Sequence, residues 1–136
     1  NDHLSSREGA SEETGIDQKR LQRIEIGTLN PYPEEVMLMA DAYHAPELMN
    51  FYCTSACPIG QKMMPKAELQ ELDRLAVKFL NALEGIKGTD RVLLSIAADG
   101  KLTADELPAM EKLLEAVKAV SAVGCELQIF VEKHGR

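Results

Sequence analysis

Apolar residues recur at three- and four-residue steps along most of this chain and never alternate with polar ones for more than a few positions, so the pattern predicts an all-α fold. A short helix over Ser5 to Thr14 is followed by Gly15-Ile16-Asp17, which reads as a helix end, a turn and the N-cap of a second helix. In that second helix Leu21 and Ile24 point inward and leave Gln18, Lys19, Gln22 and Arg23 on other faces. Gly27 to Pro33 cannot continue it. Pro33-Glu34-Glu35 opens a third helix, with Pro at a first position and acids at the positive end of the helix dipole. Val36, Met39, Ala40 and Tyr43 form its buried stripe, and Pro46 opens a further short helix ending before Pro58.

Pro58 to Pro65 holds a Gly and two Pro without periodicity, which places a module boundary there: a first domain over 1–60, a linker at 61–65 and a helical C-terminal domain over 66–136. Leu69, Leu72, Leu75/Ala76, Phe79/Leu80 and Leu83 make the apolar face of a helix. Asp90 to Ala98 forms a short one, and Thr103 to Lys133 a long one. Asp99-Gly100 supplies the turn before it, and Thr103 with Glu106 is a capping-box pair. Along the long helix Met110, Leu113, Val117, Val120, Gly124, Leu127 and Val131 step by three and four in alternation, the spacing of a coiled-coil seam. Such a seam wants a partner, either a second copy, giving a homodimer, or the preceding helices of the same chain.

Charge changes the picture. The 136-residue chain carries a formal −7, which excludes a protein that coats nucleic acid nonspecifically, because affinity for phosphates comes from Lys and Arg. Residues 1–47 hold ten acidic and four basic side chains, yet three of the four, Lys19, Arg20 and Arg23, fall within five residues. Three Cys, no apolar run long enough to span a membrane and no secretory leader point to a reduced, cytoplasmic protein. The absent initiator Met suggests that part of the native N-terminus lies outside this sequence.

From Thr14 to Tyr43 the sequence TGIDQKRLQRIEIGTLNPYPEEVMLMADAY resembles the helix-turn-helix of the Cro/C1 repressor (XRE) class of bacterial and phage regulators. The resemblance rests on Gly15, Leu21 and Ile24, the Ile24-Glu25-x-Gly27 element, Asn30-Pro31 and Met39-Ala40; Pro46 to Gly60 is similar to a tail found on some members. It implies a sequence-specific transcriptional regulator that binds operator DNA as a dimer, with the second helix of the motif in the major groove. Gln18, Lys19, Gln22 and Arg23 would then face base edges, with Arg20 and Thr28 nearer the phosphates. The sequence departs from the class at Ala10, where a large aliphatic is usual, at Ser11, where Ala is, and at Thr14, where an aliphatic is. The preceding helix of the class, whose Arg pairs with the residue matching Glu25, is not legible in Asn1 to Leu4. Either Glu25 lacks its partner or that helix lies outside this chain. The rival reading is an interaction adaptor that keeps the helix-turn-helix shape without binding DNA.

Other residues invite weaker readings. Cys53 and Cys57 with His44 nearby offer three ligands of a zinc site, or a thiol sensor, but no fourth ligand stands close, and two Cys four apart on a short helix are more often small core residues. Cys125 falls on the apolar face of the last helix. Ser95 to Glu106 has the length of a calcium loop but lacks carboxylates at its first and third positions. No catalytic set is visible, so the expectation is a non-enzyme without metal or cofactor.

Overall fold

The computed structural model describes residues 2–135, and among them every regular element is helical. The described residues divide into two compact units, one of residues 2–68 with 131–135 and one of residues 69–130.

The first unit opens with a 3-10 turn, Asp2–Ser5, followed by α1 (Arg7–Thr14), α2 (Gln18–Glu25), α3 (Pro33–Ala42), α4 (Glu47–Ser55) and α5 (Pro58–Met63). Ser6 caps α1 by accepting from the Gly9 amide at 3.0 Å. Gly15 ends it at φ 77°, a left-handed conformation in which a side chain would be strained. Ala10, Ile16, Leu21, Val36 and Met39 form the core, flanked by Leu4, Ile24, Tyr43, Leu48, Met49 and Tyr52. The atypical polar residues of α1 find local partners. Thr14, buried, donates its hydroxyl to the Ala10 carbonyl at 2.7 Å and accepts from the Ile16 amide at 3.2 Å. Ser11 donates to the Ile16 carbonyl. The turn between α1 and α2 is thus held by hydroxyls where aliphatic packing was expected.

The stretch expected to be a linker is structured. Pro58–Met63 forms α5, and its Gly60 sits so close to α4 that an added Cβ would lie 2.0 Å from the Cys53 carbonyl oxygen. Asn50, buried on α4, donates to the Pro65 carbonyl at 3.0 Å and accepts from the Ala67 amide at 2.9 Å. One amide side chain therefore ties the following extended segment down, and the division between units falls at Glu68/Leu69. The chain's last residues also belong to this unit. Lys133 Nζ donates to the His44 carbonyl at 2.7 Å and lies 3.6 Å from Glu47, while the His44 ring meets the Lys133 carbonyl at 2.6 Å.

In the second unit α6 (Leu72–Gly85) and α7 (Thr89–Ala97) precede the long α8 (Leu107–His134), whose last residues lie in the first unit. Leu75, Ala82 and Val123 are buried together, with Val120 and Phe130 against them. Of the apolar face read for α6, only Leu75 lies in this core; Leu72, Phe79, Leu80 and Leu83 stay exposed. Glu126 is buried beside them and ion-paired to Lys78 at 2.6 Å, with Gln70 donating to it at 3.3 Å. Glu106 accepts from the Thr103 amide at 3.1 Å, one half of the anticipated capping box, but the Thr103 hydroxyl donates to the same carboxylate at 2.8 Å while the Glu106 amide donates to the Thr103 carbonyl, and the pair closes a turn ahead of α8, which begins at Leu107.

Candidate nucleic-acid interface

The polar face of α2 is built from its N-cap outward. Asp17 accepts from the amides of Lys19 at 3.1 Å and Arg20 at 3.2 Å, fixing the first turn. Leu21, fully buried, and Ile24, partly buried, anchor the opposite side. With those two residues inward, Gln18 and Gln22 lie one turn apart along one row and Lys19 and Arg23 along the next. All four are exposed, and among the described residues none of their side chains has a hydrogen bond or ion pair. The structure thus brings these four together as polar groups available to a ligand.

The other two site residues stand apart. Arg20 is turned toward α3, where it donates from Nε and Nη2 to both oxygens of Glu35, the second bond at 2.8 Å. Its guanidinium also lies 4.5 Å from the centre of the Tyr32 ring. The Arg20 hydrogen bond holds the Glu35 carboxyl below the usual carboxylate range, helped by the Tyr32 amide that donates to it at 2.8 Å; Glu35 in turn raises Arg20. Arg20 therefore fastens α2 to the start of α3, with its charge already neutralised. Thr28 is exposed beyond the end of α2, and its amide and hydroxyl both donate to the Arg23 carbonyl, at 3.0 and 3.3 Å.

Glu25 has a partner after all: Arg7 Nε donates to it at 2.9 Å, joining α1 to the end of α2. Arg7, Tyr32 and Glu35 were the residues that sequence reasoning missed. Glu35 was visible only as a first-turn acid, and nothing in the spacing of Arg7 and Glu25, eighteen residues apart, announces a pair.

The remaining candidates do not converge. The His44 ring is engaged by Lys133, Cys57 Sγ caps α5 by accepting from the Gly60 amide at 3.5 Å, and Cys53 lies half-buried on α4. Among the described residues no group of three His, Cys, Asp or Glu side chains is placed to hold a metal ion, and no helix is long and apolar enough to cross a membrane. In comparisons with family models, curated proteins and solved structures, nothing matched the chain.

Proposed function

We propose that this chain is a sequence-specific DNA-binding regulator of the Cro/C1 type, which presents α2 to the major groove and binds its operator as a dimer. One observation carries the reading: Gln18, Lys19, Gln22 and Arg23 stand exposed and, among the described residues, without partners on one face of a helix whose other face is locked into the core. These side-chain types suit base edges. Gln reaches adenine through two hydrogen bonds and Arg or Lys reaches guanine N7 and O6, each good pair giving roughly 1–3 kcal/mol of discrimination. Arg20 takes the role of a positioning residue in this reading, since its pairing with Glu35 sets the angle between α2 and α3.

Selection of bound sequences from a random duplex library tests it. A regulator enriches a two-fold related motif whose half-sites are spaced by about one helical turn or a multiple of it. Enrichment of no sequence, with α2 intact by circular dichroism, would reject DNA reading and leave the adaptor.

A further inference from the structure

The long helix α8 has two apolar faces, and the chain covers only one of them. Val123 and Ile129 are buried with Glu126 between them. One position onward from Val123 and Glu126 lie Gly124 and Leu127, members of the three-and-four-step seam; Leu127 and Val117 are 38% and 45% exposed, and a Cβ added at Gly124 would meet nothing within 4 Å. The same relation holds on α6. Leu75 and Ala82 are buried, and one position onward Ala76 and Leu83 belong to a stripe with Leu72 and Phe79, stepping by four, three and four and left exposed.

The two helices run antiparallel. Gln70 and Lys78 reach Glu126 near one end, while Gly85, Lys87 and Thr89 line a common cavity with Ala109, Leu113 and Ala116 near the other. In an antiparallel pair, stepping one residue onward from the contact line turns each helix toward the same side. The α6 stripe and the exposed seam residues Val117, Gly124 and Leu127 therefore turn toward one side of the pair, while Leu113 and Val120 of the same seam are half-buried toward α6. Asp73, Arg74 and Glu84 on α6, and Glu111, Lys112, Glu115 and Lys118 on α8, all lie off that side.

We propose that this two-helix surface pairs with its own copy, completing a four-helix bundle around a two-fold axis. Three properties select a second copy as the occupant. A two-fold interface sets each patch against itself, so it must carry no net charge; this one is free of charges in a chain of net −7. Both stripes keep the step of about 3.5 residues by which helices interdigitate along a bundle, and Gly124 lets two backbones approach closely. The single-chain core is also small: among the described residues of the unit 69–130 only Leu75, Ala82, Ile96, Val123 and Ile129 are buried apolar side chains, in a size range where a domain is marginal even with a full core. The inference deepens the regulator reading, from which it takes the use of two recognition helices, but the surface itself is independent of DNA.

Sedimentation of the full chain without DNA is the test. The wild type is expected at twice the 15.0 kDa chain mass at micromolar concentration, and the double variant Val117→Glu/Leu127→Glu at the single-chain mass with its helical circular dichroism retained. Lys118→Glu, off the surface, should remain dimeric. Should the double variant unfold, the wild type still decides: its melting temperature must rise with protein concentration over a hundredfold range, because an interface between copies adds mass action to stability. A wild type monomeric at tens of micromolar, a melting temperature independent of concentration, or a double variant that still dimerises would each overturn the proposal. A dimer that enriches no DNA sequence would leave this surface standing and remove the regulator reading; a monomer that enriches one would do the reverse.

Discussion

Arg20 and Glu35 show what a paired charge does at the scale of single residues. Glu35 titrates below its value in an unfolded chain because Arg20 donates to its ionised form. A carboxylate depressed in this way contributes stability above its unfolded value, near pH 4.3, and loses it as pH falls through the folded value. The difference in melting temperature between wild type and Glu35→Gln should therefore be largest near neutrality and shrink in acid, below about pH 5. A constant difference down to the acid transition would show that the pair contributes nothing electrostatic. At the unpaired positions the outcome is of another kind. Arg23→Ala and Gln18→Ala should relax preference at individual base pairs by roughly 1–3 kcal/mol in a binding assay over single-substituted sites. Equal losses on every sequence would remove them from base reading.

At the scale of elements, what could be read from the sequence depended on whether a local interaction decided the outcome. The turn at Gly15 to Asp17, the capped start of α2, Pro33 at the head of α3 and the inward set Leu21, Val36 and Met39 were all legible, because capping, φ preference and periodicity act within a few residues. The segment from Pro58 to Pro65 was not. Its helix is capped locally by Cys57 but placed by contacts with α4: the close approach at Gly60 and, just beyond the helix, the two bonds of Asn50, which lies fifteen and seventeen residues from its partners. The single sequence clue was an Asn on an otherwise apolar helix face. The same limit hid Arg7 and Glu35 as partners of Glu25 and Arg20. It also hid which of the apolar stripes on α6 would be buried, since periodicity shows a face but not what covers it. Gly60→Ala should cost about 1–3 kcal/mol, the range for forcing an extra methyl into a packed site, because the clashing atom is backbone oxygen and α5 must move. Urea denaturation measures it. Cys57→Ser, which keeps a capping acceptor, should cost less; a Gly60→Ala chain as stable as wild type would show that α5 is only loosely held to α4.

For the whole molecule the distribution of charge matters more than its total. A chain of net −7 is repelled by duplex DNA over most of its surface, so the proposed regulator would have to bind through the few cations that are both exposed and, among the described residues, unpaired on α2. Lys19 and Arg23 meet that condition in each copy; Arg20, neutralised by Glu35, does not. Two copies then offer four such cations, and since a cation held in the groove displaces phosphate counterions even while it reads a base, at about 0.9 each, log K should fall with log salt at a slope of roughly −4. Lys19→Ala removes one cation per copy and should flatten that slope by about 2. Arg20→Ala should leave the slope unchanged while lowering affinity and melting temperature together, because it loosens α2 from α3 without withdrawing a phosphate contact. Titrations of one operator at several salt concentrations separate these outcomes. A slope that flattens equally for Arg20→Ala and Lys19→Ala would mean that Arg20 leaves Glu35 on the duplex and reaches a phosphate, as the sequence alone had suggested.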